Sequence, residues 1–418
     1  MQTPPEPAGP AAATYAQRIA FVCEIAARLH TYGTTAQRLE GAIEALAERL
    51  GLDCEPWSNP TGIILSFSDP TKPLGVSDTT RLIRLAPGEN DLHKLSEADR
   101  IAEAVLAGRM SIAQGHTALR ELDRKPSRRR RVAEVLAFGL ASGAVAGLWR
   151  LPWPDIATAA ATGLMIGLFA QFAERRPRLR EAGDAVAALL AGAMAVLVAN
   201  FFTPLNLNSV IIASLVVLLP GMNLTNSVNE LTSQHWVSGT ARFAGALTTV
   251  LKLTIGSAIA LTLAQLLGLY PEVRALRPQP DWVEWLSLLL AAFAFAVLFK
   301  AHRRDYPWVM SAAVVGYLVS RHVGEAWGSA PGIFLSALCI TVGGNLFARI
   351  SNRPGALIRV PGIIMLVPGS VSLRGLMNLV QQIETGGGSP LVTALTVIMA
   401  LIAGLLFGNL LLPARRNL

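Results

Sequence analysis

Charge is scarce in this sequence: Asp, Glu, Lys and Arg make up 15% of its 418 residues, against 52% hydrophobic. That balance excludes a protein soluble along its whole length. Cysteine is nearly absent too. Cys23, Cys54 and Cys339 form no framework, so no structural disulfide is expected and a reducing cytoplasmic face fits. There is no Walker loop, no GxSxG elbow and no HExxH helix, and His30, His93 and His116 lack metal-ligand spacing. Nucleotide hydrolysis, serine-hydrolase chemistry and zinc catalysis thus lack their usual marks, and neither cofactor nor metal is expected. Residues 1–13 are rich in Pro and Ala, with no basic start or continuous apolar run. A disordered tail is expected there, not a secretory signal.

What charge there is lies unevenly. Of the 28 acidic residues 16 precede Val132, and the basic residues divide 17 before that point and 19 after it. Residues 14–125 therefore read as a small cytoplasmic α+β domain, 126–131 as a basic linker and the remainder as membrane. Ile19, Val22, Ile25 and Leu29 recur at helical spacing, as do Leu39, Ile43, Leu46 and Leu50, with Gly51 placed to end the second helix. Ile63–Phe67 and Arg81–Leu85 read as strands, and two helices follow over 91–107 and 111–122. Ser111 with Gln114 makes a capping box at the last of them. Glu40, Glu44 and Glu48 share one helical face. A solvated stripe is the plain reading, with cation binding or docking as the alternative.

After Arg131 ten apolar segments of roughly spanning length follow, over 132–149, 155–173, 182–202, 207–230, 242–268, 283–299, 307–321, 331–348, 358–380 and 390–412. Arginine and lysine cluster before the first and after the second, fourth, sixth, eighth and tenth, which puts both termini in the cytoplasm. Ten spans divide into a five-helix repeat over 132–268, an external loop over 269–282 and a second five-helix repeat over 283–412, with a cytoplasmic tail 413–418. An odd number per half inverts the second.

The fourth and ninth segments are each broken by a Pro-Gly pair, Pro220-Gly221 and Pro368-Gly369, 148 positions apart. Proline removes an amide donor and glycine lets the backbone unwind, which hydrocarbon tolerates only beside protein or a wet cavity. Paired broken helices in two halves point to a transporter's substrate site. A weaker echo at 145 residues relates Ala199-Asn200-Phe201 to Gly344-Asn345-Leu346. The expected fold is thus an α-helical polytopic membrane protein, ten helices in a 5+5 inverted repeat behind a small α+β domain. A channel would need a continuous polar lining, whereas polar residues concentrate at the breaks. A membrane hydrolase would need a nucleophile and base that neither part supplies.

The ordered combination resembles the threonine/serine exporter family from about Tyr15 to Leu412. It rests on Leu29–Glu40 (LHTYGTTAQRLE), Leu219–Asn226 (LPGMNLTN) with Ser238-Gly239 and Arg242, and Val360–Gly369 (VPGIIMLVPG) with Leu373-Arg374-Gly375. Both halves lie in one polypeptide, which some relatives divide between two. The resemblance implies secondary active export of threonine or serine driven by the proton motive force, in a bacterial cytoplasmic membrane. Other members export dicarboxylates such as succinate, so that alternative stays open, as does a channel or facilitator. The partners implied are an amino acid, protons and the bilayer, without nucleic acid; a homo-oligomer is admitted.

Candidate site residues follow the breaks. Asn223, Thr225, Asn226 and Asn229 can donate to a carboxylate and accept from an ammonium or hydroxyl, or else bond helix to helix. Ser370, Ser372 and Arg374 form the matching set, where Arg374 either holds a carboxylate or snorkels to the surface. Lys252, ten residues past Arg242, reads as an intramembrane charge, with Asp184 and Glu230 as candidate partners or proton carriers. Asn200 and Asn345 are repeat-related polar positions that serve packing equally well. His235 lies in a loop with no visible partner.

Overall fold

The computed structural model describes residues 13–73, 78–124, 126–270, 278–366, 373, 377 and 390–413. Its amino-terminal unit packs four helices on one sheet. The helices are α1 (Tyr15–Thr31), α2 (Ala36–Arg49), α3 (Leu92–Leu106) and α4 (Ile112–Glu121), and the strands β1 (Asp53–Asn59), β2 (Gly62–Ser68) and β3 (Thr79–Arg84) form an antiparallel sheet in sequence order. Alternation along β2 buries Ile63, Leu65 and Phe67 against Phe21, Ile25, Leu39 and Ile43. The expected helices are present, and the capping box of Ser111 and Gln114 is made on both sides. Gly51 ends α2 at φ +66°, a conformation that favours glycine. Strand β1 was not expected. Its Pro56 and the acidic Asp53 and Glu55 hide it, and they are tolerated because β1 is an edge strand. Cys23 and Cys54 are free, and burial pushes their thiols up to about 11 and about 12, so they stay protonated.

The rest is helical: α5 (Arg128–Leu148), α6 (Trp153–Glu174), α7 (Pro177–Glu181), α8 (Gly183–Phe201), α9 (Leu207–Ser214), α10 (Gly221–Thr232), α11 (Trp236–Leu266), α12 (Asp281–Leu298), α13 (Tyr306–Trp327), α14 (Ser329–Ser351), α15 (Ala356–Ile364) and α16 (Pro390–Leu411). Among the described residues six helices are long and apolar enough to cross a membrane, or seven when α9 and α10, bent by 54°, count as one span. Helix α13, the expected seventh span, carries Arg321 and Glu325 near its end, while α15 covers only the start of the expected ninth. Small residues let the helices touch. A Cβ on Gly163 would lie 2.4 Å from the Ser142 hydroxyl, and one on Gly256 would lie 2.2 Å from the Ala185 carbonyl.

Helix α11 has 31 residues, about 46 Å at 1.5 Å per residue, which exceeds the roughly 30 Å hydrocarbon core. Its first turns carry the amino-terminal unit. Lys252, halfway along it, donates to the Glu181 carbonyl at 2.9 Å and so stands level with the start of α8.

Candidate functional site

The first break is built as its sequence requires. Helix α9 ends at Ser214, Val216–Leu218 form one 3-10 turn, Leu219 is extended, and Pro220 stands at the N-cap of α10. Gly221 N–H turns back to the Leu219 carbonyl at 2.8 Å and Leu224 N–H reaches Pro220 at 2.9 Å. The amides of Met222 and Asn223 between them belong to the first turn, where no intrahelical acceptor exists. This helix start opens on a cavity of about 620 Å³ lined by Pro220, Asn223, Asp184, Glu134 and Thr249. Asp184 lies 3.9 Å from the Lys252 ammonium, at ion-pair distance.

Thr225, Asn226 and Asn229 face elsewhere. They line a separate cavity of about 110 Å³ between α10 and the amino-terminal unit, with Thr35 and Arg38 on one side and Arg359 and Asn409 on the other. The four polar residues after the first break therefore serve two cavities, with Met222 in the wall of both. Pro368, Gly369, Ser370, Ser372 and Arg374 lie outside the described residues. Leu373 and Met377 are buried in the same apolar cluster as Leu215, Val216, Leu218 and Leu219 of the first break.

Glu230 does not reach Lys252. Fully buried, it accepts from Arg242 Nε and Nη2 at 3.1 Å each and from the Ser238 hydroxyl at 2.8 Å. It also accepts from Ala36 N–H at 2.9 Å, and so caps α2 of the amino-terminal unit. His235, beside it, meets Glu40 at 2.9 Å, and Glu40 also accepts from Ser58 N–H at 2.6 Å. One carboxylate of the acidic stripe is therefore a docking contact, while Glu44 and Glu48 are exposed. A second seam joins the same unit to the α12–α13 turn, where Leu92 N–H donates to Phe299 and Lys300 and Arg304 approach Glu89 and Glu97 at 3.6 and 3.8 Å. Asn345 donates to Asn409 and to the Leu412 carbonyl, a packing role, and Asn200 is exposed. No cluster of metal-binding side chains occurs among the described residues.

Sequence reasoning passed over Arg38 and Arg359, although each left a signal. Arg359 stands in an apolar run three residues before Gly362, and Arg38 lies within the motif LHTYGTTAQRLE. Buried Asp155, which accepts from the Asn206 amide at 2.6 Å, and Glu284, which accepts from Tyr317 at 2.6 Å, were also passed over.

Known families and proteins match this chain over most of its length. Residues 20–264 match the threonine/serine exporter profile ThrE, and 284–411 match a second profile described as Threonine/Serine exporter, ThrE. The threonine/serine exporter of Corynebacterium glutamicum is 24% identical over 97% of this chain and 85% of its own length, so the two are collinear almost throughout. The probable threonine/serine exporter of Mycobacterium tuberculosis is 25% identical over 77% of this chain and 63% of its own. Pheromone-regulated membrane protein 10 of Zygosaccharomyces rouxii is 24% identical over 88% of this chain, but the chain spans only 38% of that longer protein. No solved structure matches. The first profile alone covers more than half of the residues, and the chain belongs to the threonine/serine exporter family.

Proposed function

We propose that this protein is a secondary active exporter of small hydroxylated amino acids, threonine or serine, coupled to the proton motive force. The observation that carries the reading is the start of α10, which opens on the large cavity that Asp184 also lines. Amides at a helix start suit a carboxylate, and a carboxylate lining the same cavity suits an ammonium. Asn223, which lines the same cavity, is the proposed reader of the side-chain hydroxyl. Ser370, Ser372 and Arg374 are the matching set from the second break, and Asp184 is the candidate proton carrier.

Ten spans in two inverted halves, with both termini in the cytoplasm, belong to the same proposal. Its support is the pattern of neighbours: α5 packs on α6, α6 on α8 and α9, and α8 on α11, while α12 packs on α13, α13 on α14 and α15, and α14 on α16. The amino-terminal unit, 14–125, is proposed as an assembly or regulatory element and not a catalytic one.

The test is efflux of threonine or serine from loaded proteoliposomes under an imposed pH step. N223A should raise the half-saturating concentration several-fold, the worth of one hydrogen bond of about 1 kcal/mol. D184N should abolish the response to the pH step. Efflux indifferent to the gradient would leave a facilitator or channel.

A further inference from the structure

We propose that the cavity between the amino-terminal unit and α10 is a binding site for a small, doubly charged oxyanion, held between Arg38 and Arg359. The site is distinct from the large cavity proposed for transport and stands whether or not that reading holds.

Among the described residues, Arg38 and Arg359 bring the only formal charges to its lining, which includes no described Asp or Glu. Neither guanidinium has a carboxylate within ion-pair distance among the described residues. Two unneutralised cations in one partly desolvated space are costly, and an anion between them removes the cost. Burial pulls the Arg38 guanidinium down to about 10 with no neighbouring charge to oppose it, so it remains cationic at neutral pH.

Three polar atoms in the lining repeat the argument without charge. Arg359 Nε, Thr35 Oγ1 and Thr225 Oγ1 are buried without a hydrogen-bond partner among the described residues, and their residues are only 9%, 8% and 2% exposed. Buried groups of this kind are ordinarily satisfied. Thr35 stands at the N-cap of α2 yet makes no capping bond, while the neighbouring Ala36 N–H goes to Glu230. Its hydroxyl is left to the cavity. The amides of Asn226 and Asn229 add further donors on the α10 side.

Arg359 is also held in place. A Cβ on Gly344 would lie 2.8 Å from its Cγ, and one on Gly355 would lie 3.3 Å from Nη2, so the side chain is seated across two glycines. A cavity of about 110 Å³ takes several waters' worth of volume, enough for phosphate or a four-carbon dicarboxylate. A zwitterion fits poorly because its ammonium finds no acid there, and a metal cation would meet two guanidiniums. One wall comes from the amino-terminal unit and the other from the helical part, so a bound anion ties the two together against the helix whose start opens on the large cavity.

The experiment is equilibrium binding to the purified full-length protein in nanodiscs, with inorganic phosphate, succinate and threonine as separate probes. Saturable binding of phosphate or succinate is expected, weakened at least about tenfold by R38Q and by R359Q, and unchanged by R120Q on the exposed face of α4. Preference for phosphate over succinate identifies a phosphate-bearing ligand, and the reverse a dicarboxylate. R38K, which keeps the charge without the planar fork, should bind with intermediate strength and serves if R359Q does not fold. Binding of neither anion, or binding that R38Q leaves unchanged, overturns the proposal. So does threonine binding that R38Q weakens, which would make this the transport site. Threonine efflux that survives in R38Q leaves the transport reading intact whatever the anion result.

Discussion

Replacing Glu230 by glutamine should loosen the whole attachment of the amino-terminal unit. The carboxylate is completely buried and accepts four hydrogen bonds, two from Arg242 and one each from Ser238 and Ala36. Glutamine keeps the shape but offers one accepting oxygen, and its amide presents protons to donors. The Arg242 guanidinium then stays in a site that has lost its countercharge. Breaking one partner out of a buried pair costs about 3–5 kcal/mol, and each lost charge-assisted bond about 1.5–3. We expect E230Q to destabilise the full chain by about 3 kcal/mol or more in chemical denaturation. The cycle with R242Q is the sharper measurement. The double variant removes both charges, so its loss should fall below the sum of the singles by about 1–3 kcal/mol. Additive losses, or E230Q within 0.5 kcal/mol of the parent, would refute the buried staple.

Asp99, buried on α3, has its carboxyl pushed up by desolvation from 3.8 to about 7. The unfolded chain ionises first, so stability is fullest below pH 3.8 and declines as pH rises to about 7. D99N should remove that decline and stabilise the protein at pH 8 by an amount on the order of a few kcal/mol, measured by denaturation across pH. G344A forces Arg359 aside, since the new Cβ meets its Cγ at 2.8 Å. It should cost about 1–3 kcal/mol in denaturation and weaken anion binding with it. Reporter fusions after Arg180, Arg304 and Leu418 should read cytoplasmic and one near Arg277 external; an external carboxy terminus would remove the basis for an inverted repeat.

Period and capping were legible because they are local. The helices of the amino-terminal unit, the Ser111 box and the stop at Gly51 follow from residues within a few positions of one another. The break at Pro220-Gly221 was legible for the same reason. What escaped depends on distant partners. Nothing near Glu230 in sequence announces that Ala36, 194 residues away, supplies one of its donors. Nearness to the break placed Asn223, Thr225, Asn226 and Asn229 together, yet successive residues of a helix face different directions, and two cavities divide them. Lys252 was counted inward from Arg242 along one helix, and a count along one helix does not show that its ammonium meets the Glu181 carbonyl just before α8.

The two seams beneath the amino-terminal unit are unequal in a way that gives the molecule a mechanical fuse. One is dry, with Glu230 sealed against Arg242; the other sets buried Leu92, whose N–H donates to Phe299, inside a rim of longer charge pairs, such as Lys300 with Glu89 at 3.6 Å, where the glutamate side chain is 87% exposed. Exposed pairs contribute little and are screened by salt, whereas buried ones are not. If α5–α11 rock against α12–α16 one seam must shear, and the one rimmed by exposed charges is the one that salt weakens. The unit would then ride with the first half as a passenger, and ionic strength would set how readily it lets go of the second.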